Sequence, residues 1–181
     1  MQSICANTWR LGTSRDGVRA ALAKRSKEMA IDVRALVSVE HMQGDDAEDT
    51  ALLKAAYAEA KGYIERFRWC NGVREAYFGA GVGGVIAAFL VRISPSPDAD
   101  EWLWLIVGDL PAAYVVTDQA ESAAEAIRVY CDLMTDWIIA VKTGASLEEV
   151  FPVAAEPTLK NAESLAERIS FVRDEVLPGI S

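Results

Sequence analysis

Residues 101–118, EWLWLIVGDLPAAYVVTD, constrain this chain more than any other stretch. Read as a strand, 102–107 puts Trp102, Trp104 and Ile106 on one side and Leu103, Leu105 and Val107 on the other. A strand apolar on both sides needs cover on both, so it belongs inside a sheet. Gly108-Asp109-Leu110-Pro111 has the turn chemistry to reverse it, and 112–117 reads as a second strand returning beside the first.

Upstream, 85–93 is rich in β-favouring residues and is stopped by Ser94-Pro95-Ser96-Pro97. Short links between 85–93, 101–107 and 112–117 imply an antiparallel meander, because a parallel return needs a crossover of about a dozen residues or more. Residues 73–78 alternate weakly and add a possible short strand. Between them Gly79, Gly81 and Gly84 match the GxGxxG expression. A dinucleotide fingerprint requires a helix directly after the glycines, whose N-terminus holds the phosphate. A strand-like run stands there instead, so the glycines read as a flexible hairpin link.

Helical signals flank the sheet. Val18, Leu22, Met29, Val33 and Leu36 recur at helical spacing from an N-cap at Ser14, after a loose arm over 1–13, and Gly44 can close that helix. Asp46, followed by Glu48 and Asp49, predicts the N-terminus of a second helix with Leu52, Ala55, Ala56, Tyr63 and Phe67 inward. A short polar link makes the two a helical hairpin. Asn71-Gly72 reads as a turn beyond it. Ser122 to Glu125 is a capping box, with Ile127, Tyr130, Met134, Trp137, Ile138 and Val141 as the buried stripe and Gly144 as the C-terminal cap. A second box, Ser146 to Glu149, predicts at most a turn or two of helix. A last helix from Thr158 carries Leu165, Ile169, Val172 and Val176 and stops at Pro178-Gly179. The expected fold is α+β: one domain over 1–181, with an N-terminal helical hairpin, a three- to four-stranded antiparallel meander and C-terminal helices.

Composition narrows the function classes. The 181 residues suffice for a core without staples, and no apolar run approaches the roughly 20 residues of a membrane helix. Cys5, Cys70 and Cys131 are scattered and odd in number, which predicts a reducing, cytoplasmic setting. Net charge is −9; residues 1–41 hold seven Lys and Arg against four Asp and Glu, and the rest is strongly acidic. Such a chain repels phosphates, and Arg19, Lys24, Arg25 and Lys27 have no interleaved aromatic residues, so nucleic acid is not an expected partner.

Catalytic signatures are sparse. His41 is the one histidine, and no HxxxH, CxxC or GxSxG accompanies it, so neither a metal, a cofactor nor a Ser-His or Cys-His nucleophile is expected. Asp98, Asp100 and Glu101 share a loop, and Asp109 and Asp118 follow the two strands. Paired carboxylates on a cleft remain conceivable chemistry, without any local signature that separates them from surface acids.

The segment WLWLIVGDLPAAYVVTD followed by ESAAEAIRVYCDLMTDWI resembles uncharacterised bacterial proteins of similar size. That resemblance implies a bacterial cytoplasmic setting and brings no activity, cofactor or site residue. Two functions are expected. One is a non-enzymatic acidic module that binds a basic protein partner, for example as a toxin-neutralising or immunity-type binder. The other is a small enzyme or ligand-binding domain with a pocket between sheet and helices lined by Trp102, Trp104, Tyr114 and Trp137. Asp98, Asp100 and Asp109 complete the candidate contacts, and a homodimer fits either.

Overall fold

The computed structural model describes residues 31–95 and 100–180. The arm over 1–13, the helix start at Ser14 and the stripe residues Val18, Leu22 and Met29 lie outside them, as does Asp98. Within the described residues the architecture is α+β, built on a five-stranded sheet in the order β1-β2-β3-β4-β5. The strands are β1 (Val37–Ser38), β2 (Cys70–Val82), β3 (Ile86–Pro95), β4 (Trp102–Gly108) and β5 (Leu110–Val116). Every neighbouring pair is antiparallel. Three helices accompany them: α1 (Ala47–Ile64), α2 (Ala123–Thr143) and α3 (Leu159–Phe171).

β4 lies between β3 and β5 and is covered on both faces. Leu103, Leu105 and Val107 join one core with Phe89 and Val91 of β3 and with Leu53, Ala60 and Ile64 of α1. On the opposite face Trp104 and Ile106 are fully buried, and the Trp104 indole N–H donates to the Ala120 carbonyl (3.1 Å) at the entry to α2. The Tyr130 hydroxyl of α2 donates to the Pro111 carbonyl of β5 (2.9 Å). Burial of its phenol pushes the Tyr130 pKa upward, which keeps it a donor. The sheet is thus sandwiched between α1 and α2, and α3 packs on α2 through Ala162, Leu165 and Ile169.

The caps follow from side chains at the helix entries. Asp46 accepts from the Asp49 N–H (2.8 Å), Ser122 from Glu125 (3.2 Å) and Thr158 from Asn161 (3.2 Å). Gly144 closes α2 in the left-handed region at φ 69°. The Glu125 carboxylate reaches the Glu121 N–H (2.7 Å), one residue before the cap.

Several expectations need correction. The sheet has five strands rather than three or four, because β2 is thirteen residues long and β1 adds to its edge. Residues 33–44 do not continue a helix: Val33–Ala35 form one 3-10 turn, and Val37 and Ser38 pair with Phe78 and Tyr77. Apolar spacing cannot tell a helix from a short strand when a sheet edge offers backbone partners, as the Ala76 carbonyl does to the Val39 N–H (3.2 Å). The inward face of helix α1 is only partly as predicted: Ala56, Tyr63 and Phe67 are partly buried, but Leu53, Ala60 and Ile64 are its most buried residues, whereas Leu52 is 42% exposed and Ala55 is exposed. Ser146 accepts from the Glu148 N–H (3.2 Å) without starting a helix, because Pro152 leaves no room for one.

The glycine run is rigid strand and tight turn rather than a flexible link. A Cβ on Gly79 would stand 2.5 Å from the Trp104 ring and 2.8 Å from the Ala123 methyl, so that position exists to let the indole reach the strand. A Cβ on Gly83 would collide with Asp49, whose carboxylate accepts from the Gly83 N–H (2.8 Å) and from the Asp45 N–H (3.1 Å). Asp49 therefore ties α1 to the β2–β3 turn, in addition to its place in the first turn of the helix. Asn71-Gly72 also lies within β2, as an irregularity with Gly72 at φ 103°.

Candidate functional site

Sheet register builds a polar-aromatic cluster that crosses three strands. Arg92 of β3 is the Cα partner of Glu75 on β2 and of Trp102 on β4. All three side chains therefore emerge on the α2 side of the sheet, at the end where Trp102 is only half-buried. The Arg92 guanidinium donates from Nη1 to Glu75 Oε1 (2.7 Å) and from Nε to Glu101 Oε1 (2.7 Å). Its Cζ lies 5.8 Å from the centre of the Trp102 ring, within cation–π range. The Tyr77 ring stacks on Trp102 at 6.3 Å, and its hydroxyl donates to Glu75 Oε2 (3.0 Å).

These contacts set the charges. The Arg92 guanidinium, with the Tyr77 hydroxyl behind it, holds the Glu75 carboxyl below its usual range. The same hydrogen bond raises the Tyr77 phenol, and the two carboxylates raise Arg92. The cluster is a fixed array of charge and ring faces with both aromatic side chains partly open to solvent.

The other predicted contacts separate. Trp104 is fully buried beneath α2, and Trp137 is 2% exposed within α2. Tyr114 pairs with Leu105 and so lies on the opposite, α1 side, 5.6 Å from the Phe67 ring and 5.4 Å from Trp69. The expected pocket lined by Trp102, Trp104, Tyr114 and Trp137 is therefore not assembled: its members lie on two faces of the sheet, and two of them have almost no accessible surface. Asp109, at the far end of β4, accepts from Arg168 Nε of α3 (2.9 Å) and acts as a strut between hairpin and helix. Asp100 is exposed and precedes Glu101 in the chain.

Glu101 is among the loop carboxylates that the sequence singles out, whereas Glu75, Tyr77 and Arg92 are not. The available signal was the alternation of 75–77 and the lone arginine in an otherwise apolar strand, which needs a carboxylate partner when half-buried.

His41 is exposed and lines an open hollow of about 600 Å³ with Glu40, Asp45, Asp46 and Lys54. Among the described residues no three His, Cys, Asp or Glu side chains converge as metal ligands, and no helix is long and apolar enough to cross a membrane. Cys70 and Cys131 are free and buried, and burial pushes the Cys131 thiol upward against the opposing pull of Arg173. No family model, curated protein or solved structure matches the chain.

Proposed function

We propose that this protein is a non-enzymatic interaction module that takes a basic segment of a protein partner on the Trp102 end of its sheet. The observation that carries the reading is the half-exposed Tyr77–Trp102 stack, with Glu75 and Glu101 joined to it through Arg92. Aromatic rings at a contact surface offer large area at low entropic cost, and carboxylates around them select for Lys and Arg. Arg92 already satisfies one oxygen of each of Glu75 and Glu101, so the array is pre-organised rather than ordered on binding. The overall charge of −9 steers a basic partner towards it. A toxin-neutralising or immunity-type binder is the kind of protein this describes.

The test is affinity capture from a bacterial lysate by the full chain and by Trp102→Ala and Glu101→Lys variants, with mass spectrometry of what is retained. A basic protein held by the wild type and lost from both variants supports the reading. Equal retention by all three, or nothing retained, overturns it. Light scattering of the same samples tests the homodimer: a dimer mass that Trp102→Ala reduces to a monomer would make a second copy the partner.

A further inference from the structure

Between α2 and the turns after α3 lies an open hollow of about 440 Å³, lined by Arg128, Asp132, Arg173, Leu177 and Pro178. Its shape comes from a single wide turn. Residues Val172–Val176 follow α3 as a π-turn, with the Leu177 N–H bonded to the Val172 carbonyl five residues back. Val172 and Val176 are both buried, and Arg173 reaches Asp132 of α2. Such widened turns cost helix stability and recur at functional sites.

Arg173 is held in place: Nη2 donates to Asp132 Oδ1 (2.7 Å) and to Thr135 Oγ1 (3.2 Å). Both bonds leave from one nitrogen, and the same guanidinium also acts on the Cys131 thiol. Arg128 sits one turn before Asp132 on α2, exposed, and makes no hydrogen bond or ion pair among the described residues. Two guanidinium groups and one carboxylate therefore line the hollow, a local excess of positive charge on a chain of net charge −9. Leu177 and Pro178 add an apolar floor beside them.

We propose that this hollow binds a carboxylate borne on an apolar group. The carboxylate is met by Arg128, with the Arg173 fork alongside, and the apolar part rests on Leu177 and Pro178. A guanidinium suits a planar carboxylate through paired N–H donors. The ligand chemistry is that of a free small acid or of a peptide chain ending in an apolar residue.

The experiment is a titration of the full-length, ¹⁵N-labelled protein with N-acetyl-leucine, with a short peptide ending in leucine, and with the amide form of each. Expected are shifts confined to residues 128–135 and 172–178 with the free acids, absent with the amides. Arg128→Gln should weaken the binding by about tenfold or more, since a charged hydrogen bond to the ligand is lost. Arg128→Lys should recover part of it. Thermal unfolding of both variants should match the wild type, because Arg128 supports no other residue. Shifts with both acids show that the carboxylate and its apolar group suffice; shifts with the peptide alone identify a chain terminus as the source. No shifts with either acid, equal shifts with the amides, or binding unaffected by Arg128→Gln overturns the proposal.

Discussion

Replacing Trp104 with phenylalanine tests whether β4 is held from both faces. The indole is fully buried, and its N–H is the partner of the Ala120 carbonyl, itself 1% exposed. Phenylalanine keeps the apolar contact but leaves that carbonyl without its donor, at a cost of about 1–3 kcal/mol. The missing ring volume, roughly 40 Å³ at about 24 cal/mol per Å³, adds about 1 kcal/mol. The total is about 2–4 kcal/mol. With a urea m-value of about 2 kcal/mol/M, the midpoint should fall by roughly 1–2 M with the slope unchanged. The unfolding is best followed by far-UV circular dichroism, because the substitution alters the tryptophan fluorescence. Trp102→Phe, two residues away and half-buried, should cost less than about 1 kcal/mol, since its contacts are with Tyr77 and Arg92 at the surface. Gly79→Ala should be destabilising alone and less so in the Trp104→Phe background, because its Cβ would stand 2.5 Å from the indole's six-membered ring. Equal costs for the two tryptophans, or strict additivity of Gly79→Ala with Trp104→Phe, would refute the reasoning.

Asp49→Ala should destabilise by about 1–3 kcal/mol through the lost Gly83 and Asp45 hydrogen bonds, against less than about 0.5 kcal/mol for exposed Glu48→Ala, by thermal unfolding. Glu75 has its folded pKa depressed, so its contribution is present above the ordinary carboxylate range and lost as pH falls through the folded value. The melting temperatures of wild type and Glu75→Gln should therefore differ most near neutral pH and converge only once the pH has fallen below the ordinary carboxylate range. The Cys131 thiol, raised by burial, should resist iodoacetamide in the native protein and react on unfolding, as peptide mass mapping would show. Asp46→Ala, which removes the cap of α1, should cost about 1 kcal/mol by the same thermal assay.

Much of the fold is local and so was legible in the chain. Asp46, Ser122, Thr158 and Gly144 mark helix ends because each satisfies backbone groups within four residues of itself. The doubly apolar run at 102–107 demanded a central strand for the same reason: its side chains alternate with a period set by the backbone. Tertiary structure decided what alternation leaves open. Register placed Tyr114 opposite Leu105 and hence across the sheet from Trp104, which divided the expected pocket. Pairing with β2 drew residues 37 and 38 into a strand, although their apolar spacing suited a helix. The Glu75–Arg92–Glu101 array joins residues 17 and 9 positions apart, and only the sheet makes them neighbours. A cap is written in adjacent residues, whereas a contact surface depends on which strands meet and in what register.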